Sequence, residues 1–162
     1  MGALRIRTAE LPRDRPAMLR FVDALQAFEH GFEPNRRLDA AVAEDYLQPL
    51  LQKIAEKGGE IFVAVDAHDV PLGWGVVQAD EDDIYVVESE RRIAYIAELY
   101  LVEAARGTGT GRALIAACED WARVRGIGVL HIGVLPGNVR ARAVYERAGF
   151  APYAVRLRKR LD

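Results

Sequence analysis

The chain has 162 residues, enough for one domain with a substantial core and too few for two. Hydrophobic residues make up 51% and charged residues 28%, a balance that excludes an intrinsically disordered chain. With 24 acidic against 22 basic side chains the formal net charge is −2, so no strong positive field selects a nucleic acid as partner.

Taken in chain order, Leu4 to Leu11 alternate apolar and charged residues, the pattern of a half-buried first strand. Pro12 and Pro16 open a helix whose apolar residues Met18, Phe21, Val22, Leu25 and Phe28 recur at helical spacing. Gly31 and Pro34 stop it, with the end expected near His30. Asp39 is predicted to cap a second helix reaching Lys57, which Pro49 should kink or split in two, and Gly58 and Gly59 end it. Ile61 to Val65 and Leu72 to Gln78 read as a β-hairpin turning at Asp69 and Pro71. After the acidic run Asp80 to Asp83 comes a long β segment, Ile93 to Glu103.

Helix returns from Gly109 to Arg125, where Leu114, Ile115, Cys118, Trp121 and Ala122 form one apolar stripe. Val129 to Leu135 is a buried strand, Asn138 suits the N-cap of a short helix through Glu146, and Tyr153 to Leu161 alternate as a closing strand. No repeat or low-complexity linker divides the chain, which makes residues 1–162 one domain. The expected class is α/β with a mixed sheet, because hairpins precede a strand-helix-strand crossover.

Cys118 is the only cysteine, so no internal disulfide forms, and its place in an apolar run reads as a buried structural thiol. The start, Met1 to Arg7, carries no apolar signal-peptide core, and Ile6 stands where a myristoylation motif needs Ser or Thr. No apolar stretch approaches membrane-spanning length. A cytoplasmic chain without membrane partners is the expectation, and a homodimer is left open.

Between the long strand and the next helix lies "ARGTGTGRAL", Ala105 to Leu114, with three glycines at alternate positions between two arginines. Backbone N–H groups at a helix start are unpaired and carry partial positive charge, which suits an anion. Glycines let a phosphate approach that backbone and permit positive φ, while Arg106 and Arg112 add charged donors. A Walker loop needs a Lys that "GTGTGRA" lacks, and a Rossmann fingerprint needs Gly where Arg112 stands. A turn that merely starts a helix is the bland alternative, but it needs fewer glycines.

"RGTGTG", Arg106 to Gly111, resembles the [RQ]-x-x-G-x-[GA] signature of the GNAT N-acetyltransferase superfamily through Arg106, Gly109 and Gly111. "GNVRARAVYERAGF" is similar to a later segment of the same family through Asn138, Ala141, Tyr145, Glu146, Gly149 and Phe150. The likeness is close over residues 93–155, and element order alone carries it over residues 1–92. It implies a single GNAT-like α/β domain: a mixed, mostly antiparallel sheet with a splayed central strand pair and flanking helices.

What the resemblance implies about the site follows residue by residue. Arg106, Gly107, Thr108, Gly109, Thr110, Gly111 and Arg112 would cradle the pyrophosphate of acetyl-CoA. Leu101 and Val102 would bond the pantetheine arm through their backbone, and Asn138 and Ala141 would stand beside the coenzyme. Acetyl-CoA is then the co-substrate, and no metal is called for. Tyr145 matches the tyrosine that protonates the departing thiolate in similar enzymes; its bland reading is an aromatic packed on the coenzyme arm.

Aminolysis of a thioester needs a neutral amine, and an alkyl ammonium has a pKa near ~10.4, so a general base is wanted. Glu98 is the candidate, since a carboxylate inside a central strand is unusual and burial raises its pKa. Strict alternation complicates this: with Leu99 and Leu101 facing the site, Glu98 faces away unless a β-bulge intervenes. A partly solvated salt-bridge partner is the rival reading. Glu33 is the second choice, acting through water.

His30, His68 and His131 have no metal-ligand spacing, and no Ser, His and Asp arrangement stands out. The acceptor would meet Phe28, Phe32 and Glu33, and the region from Asp80 to Arg92. Asp80 to Asp83 would attract a cationic amine, or merely solvate a hairpin tip, whereas Asn35 to Arg37 would favour an acidic acceptor. A small-molecule amine is the expected substrate. A protein or peptide N-acetyltransferase, and a non-catalytic acyl-CoA sensor on the same fold, are the alternatives.

Overall fold

A computed structural model describes residues 4–161 of the chain. Met1 to Ala3, on which the reading of the chain start partly rests, lie outside the described residues, as does Asp162. The elements run β1 (Arg5–Thr8), α1 (Arg15–His30), α2 (Val42–Lys57), β2 (Glu60–Val65), β3 (Pro71–Glu81), α3 (Glu88–Arg91) and β4 (Arg92–Leu101). A 3₁₀ turn at Glu103–Ala105 leads to α4 (Thr110–Val124), β5 (Val129–Ile132) and α5 (Val139–Arg147).

Five strands form one sheet in the order β1-β2-β3-β4-β5. The first four are antiparallel neighbours, and β5 joins parallel to β4 through the crossover helix α4. Period-2 alternation in β2 and β3 gives the sheet two apolar faces. On one, Val63, Val65, Trp74 and Val76 pack under Met18, Phe21 and Val22 of α1 and Leu47 and Leu50 of α2. On the other, Val77, Ala94 and Ile96 pack under Ile115, Cys118, Trp121 and Ala122 of α4. The stripe expected for α4 is thus its buried face.

Cys118 is buried there, and desolvation pushes its thiol up to about 12, so it is an inert filler at neutral pH. One ionic knot ties the first elements together. Arg7 of β1 donates to Asp14 at 2.7 Å and to Asp69, in the β2–β3 turn, at 3.0 Å. Asp69 itself takes a left-handed φ of 62°, which Asp tolerates in a tight turn.

Three expectations need correction. Pro49 does not split α2, which runs unbroken for 16 residues. The ring removes one N–H, and the acceptor it abandons belongs to the exposed residue Asp45, where water substitutes. Asp39 is not the N-cap, which is Ala41; the Asp39 carboxylate accepts the Ala41 N–H at 3.1 Å from two residues further out.

The closing strand is the largest miss: residues 151–161 join no ladder, and Tyr153, Val155, Leu157 and Leu161 are each at least 67% exposed. Alternation sets which way side chains point but supplies no partner edge. This segment is tethered by side chains instead. The Tyr153 ring lies 4.9 Å from that of His131 and its hydroxyl donates to Asp82 at 3.2 Å, while Arg158 pairs with Glu33 at 2.7 Å. In consequence β5 is an edge strand, and the splayed pair stands at the sheet edge instead of its centre.

Candidate active site

The β4–β5 ladder runs only from Ile93–Val129 to Ile96–Ile132. Beyond it β4 continues for five more residues to Leu101 while β5 has ended, so the two strands part and leave a gap. On its far side β4 stays bonded to β3 up to the Leu101–Gly73 pair, and the Val102 N–H donates to the Leu72 carbonyl at 2.8 Å. Antiparallel alternation then turns the backbone groups of Leu101 toward the gap. Of the two residues expected to bond a pantetheine arm, Leu101 faces it, whereas the Val102 N–H is committed to β3.

The glycine loop begins where β4 ends. Gly107 and Gly109 have φ of +76° and +89°, left-handed values that side chains resist, and a Cβ at either would meet only open space. Among the described residues no acceptor is found within the chain for the N–H groups of residues 107–112. Six donors without an acceptor at the start of a 15-residue helix suit an anion. Thr108 and Thr110 shape the loop from inside: Thr108 donates to the Ala105 carbonyl at 2.7 Å and shares a 2.6 Å contact with Thr110.

The two arginines divide. Arg112 is exposed at the helix start. Arg106 turns the other way, donating from Nε to the Leu101 carbonyl at 3.0 Å, with its guanidinium 5.5 Å from the Phe28 ring centre and 5.7 Å from that of Tyr100. Arg106 therefore braces the loop against α1. Asn138 caps α5 by accepting the Ala141 N–H at 3.1 Å, so these two residues fix the helix that carries Tyr145.

Glu98 owes its position to a bulge. Val76 pairs with Glu98 and Val77 with Ile96, which leaves Ala97 as an extra residue in β4. Ile96 therefore packs beneath α4 while Glu98 faces α2, where it accepts a hydrogen bond from the Tyr46 hydroxyl. That is the outcome strict alternation could not give. Glu98 is 9% exposed, and desolvation, opposed by the Tyr46 hydrogen bond and aided by Glu29, pushes its carboxyl up to about 7.

Tyr145 projects from α5, half-buried, with its ring 6.1 Å from that of Phe150. Burial first, then the charges of Glu29 and Glu98, push its hydroxyl up to about 12, so it holds its proton. Tyr95 lies in the same field, its hydroxyl raised by burial and by Glu98.

The residues expected to meet the acceptor come from α1 and the loop after it. Phe28 and Phe32 stack edge to face at 5.1 Å, and a Cβ on Gly137 would meet the Phe32 ring at 2.8 Å. This contact ties the α1–α2 loop to the β5–α5 loop. Glu33 is held by Arg158, and Glu29 by Arg36 at 2.9 Å. Both conflicting clues about the acceptor weaken here. Asp80 is neutralised by Lys57 at 2.6 Å and Asp82 takes the Tyr153 hydroxyl, while Arg36 and Arg37 pair with Glu29 and with Asp39 and Asp45.

Sequence reasoning missed Tyr46 and Glu29. Tyr46 falls on the apolar stripe of α2 beside Ala43 and Leu50, where a hydroxyl needs a buried partner, and that was the available signal. Among the described residues no cluster of His, Cys, Asp and Glu is gathered to hold a metal, and no helix is long and apolar enough to cross a membrane. Two shallow cavities, of about 230 and 270 Å³, flank the outer edge of β5 along Val129, Leu130 and Phe150. They mark the uncovered sheet edge and do not contain Glu98, Tyr145 or the glycine loop.

Comparison with known proteins agrees with this layout. Residues 22–150 match the acetyltransferase (GNAT) family. The chain is 31% identical over 108 residues to an aminoglycoside N(6')-acetyltransferase type 1 of Stenotrophomonas maltophilia, covering 67% of this chain and 70% of that one. A variant of a Bacillus halodurans protein superposes with a TM-score of 0.81 at 20% identity, over 97% of this chain and 99% of its own. A predicted acetyltransferase from Clostridium acetobutylicum, solved with acetyl-CoA, superposes with a TM-score of 0.75 at 17% identity, over 98% of this chain and 96% of its own. The two solved structures speak for the fold, and the family match for the chemistry: this chain belongs to the GNAT family and is an acetyl-CoA-dependent acyltransferase.

Proposed function

We propose that the chain transfers the acetyl group of acetyl-CoA directly to an amine of a small cationic molecule, with Glu98 as general base and Tyr145 as general acid. The observation that carries this is the pair itself. A buried carboxyl on β4 poised at about 7 and a tyrosine on α5 that keeps its proton up to about 12 lie close enough for the charge of the first to raise the second. Burial raises both proton affinities, leaving the carboxyl near neutral and the hydroxyl far above it, which divides the base and acid roles.

The residues fit the coenzyme. The diphosphate suits the free N–H groups of residues 107–112, and the parted strands offer Leu101 backbone to an extended amide-bearing arm. Bound there, acetyl-CoA supplies an activated acyl carbon with a thiolate leaving group. Glu98 takes one proton from the incoming ammonium, directly or through water, which frees the lone pair to attack. Tyr145 gives its proton to the thiolate as the carbon–sulfur bond breaks. The second proton of the amine nitrogen, shed as the tetrahedral adduct collapses to the amide, restores the tyrosine through water, and Glu98 releases its own proton to solvent. Backbone N–H groups along the gap oppose the negative charge that develops on the acyl oxygen.

A small acceptor is favoured over a peptide because Phe32 seats on Gly137 and Arg158 pairs with Glu33, two contacts that bound the acceptor side where a peptide needs an open groove. A cationic acceptor is favoured because, among the described residues, Glu98 has no cation paired with it and Glu29 adds its charge there, and because the Stenotrophomonas relative is named for acting on aminoglycosides. Retention of both titrating groups argues against a sensor. The unpaired, buried Cys118 suits a reducing cytoplasm as the place of action.

The test is release of free thiol from acetyl-CoA across a panel of polyamines, aminosugars and peptides. Turnover confined to small cationic amines supports the reading. Turnover on peptides alone, or coenzyme binding without turnover, contradicts it.

A further inference from the structure

We propose that Tyr46 is the positioning residue for the reacting carboxylate: from α2 it holds one oxygen of Glu98 by hydrogen bond and leaves the other free for the amine proton. This rests on the proposed role of Glu98 as base and assigns the group that makes Glu98 usable.

The geometry runs as follows. The bulge at Ala97 aims Glu98 at α2, and Tyr46 is the side chain of α2 that meets it, its hydroxyl donating to Oε1. Tyr46 packs against the core shared by α1, α2 and the sheet, so its ring is fixed by Ala43, Leu47 and Leu50 neighbours on the same stripe. Oε2 has no hydrogen-bond partner among the described residues. Among the described residues, the sealed side-chain polar atoms without a partner are Trp74 Nε1, Gln78 Oε1 and Trp121 Nε1, and Oε2 is not one of them. It is therefore not sealed from solvent, which leaves it free for a second task.

The charged and titratable groups facing Glu98 are few. Tyr46 comes from α2, Glu29 from α1, Tyr95 from β4 and Tyr145 from α5. Burial and Glu29 both disfavour the carboxylate form, and only Tyr46 favours it. Burial together with the charge of Glu98 keeps Tyr46 protonated throughout, so it donates in both states of the cycle and transfers no proton. Its effect is to hold the base ionised near neutral pH, where desolvation alone would leave it protonated.

Tyr46→Phe keeps the ring and removes the donor. The acidic limb of the kcat/KM profile should move up by about one to two pH units, with roughly tenfold loss below neutral pH and recovery as pH rises. Replacement of Tyr46 by 3-fluorotyrosine, a stronger donor of the same shape, should move the limb down. A purely structural role predicts neither opposite shift. Titration of the Glu98 carboxyl carbon by NMR, assigned through Glu98→Gln, reads the same displacement without turnover.

Matching shifts in both measurements support the inference. An unmoved Glu98 titration in Tyr46→Phe, or a limb that stays in place there while Glu98→Gln abolishes it, overturns the inference alone. A limb that survives in Glu98→Gln overturns the base assignment, and this inference with it.

Discussion

The two halves of the cleft are made differently. The donor half, from Leu101 through α4, is made of backbone: two left-handed glycines, six unpaired N–H groups and a strand that outruns its neighbour, all within a short run of sequence. The acceptor half is made of side chains drawn from far apart. Tyr46 reaches Glu98 across 52 positions and Arg158 reaches Glu33 across 125. A backbone cradle recognises what every acetyl-CoA has in common, whereas a wall of side chains is free to change with the acceptor. The comparison teaches that the donor half should fail through conformation and the acceptor half through chemistry.

The largest expected effect tests the group where the halves meet. Tyr145→Phe keeps the ring against Phe150 and removes the acid, so kcat should fall roughly 10²- to 10⁴-fold while coenzyme affinity hardly changes. Stopped-flow measurement of thiol release separates this from slow product departure, and a near-normal chemical step would remove Tyr145 from the mechanism.

Gly109→Leu should break the donor half by conformation. The φ of +89° disfavours any side chain, and the added atoms stand where a phosphate would approach. Calorimetry should find acetyl-CoA bound roughly 10- to 100-fold more weakly in a folded variant. Unchanged affinity would place the diphosphate elsewhere.

Glu98 makes the acceptor half depend on pH. Its folded pKa of about 7 exceeds the ordinary 4.5, so the native state binds this proton more tightly than the unfolded chain does. The stabilisation is complete below the ordinary value and is lost as pH rises through about 7, on the order of 3 kcal/mol in all. Urea unfolding at several pH values should show this fall in the wild type, and a flatter curve in Glu98→Gln.

Arg158→Ala is the smallest change. The pair with Glu33 is half-exposed, so stability should shift by less than about 1 kcal/mol. Freeing Glu33 should lower KM for a dicationic amine a few-fold and leave a monocationic one unaffected. Equal effects on both would deny Glu33 a place in the acceptor site.

How much of this was legible in the sequence follows the same division. The glycine loop, the α4 stripe and the Asn138 cap are local patterns whose residues lie within a helical turn or two of one another. So are the hairpin and the first helix. The fold class came from element order, which chain connectivity constrains strongly.

What failed was non-local. Alternation could not reveal that Ala97 is an extra residue, because a bulge is defined by the partner strand. Tyr153 to Leu161 had the period of a strand but no edge in register to accept it. Asp80 to Asp83 and Asn35 to Arg37 looked like substrate signals because their partners, Lys57, Tyr153, Glu29 and Asp45, were invisible until the chain was folded.

The central claim is that a buried carboxylate on the acceptor face takes the proton of the amine. The direct measurement is kcat/KM against pH for the wild type and Glu98→Gln, with an acceptor amine whose own pKa is known. The account predicts an acidic inflection near 7 in the wild type and its loss in the variant, with the rate falling roughly 10²-fold or more at neutral pH. An inflection that persists unchanged in Glu98→Gln would contradict it and pass the role to another group or to an amine that arrives already neutral.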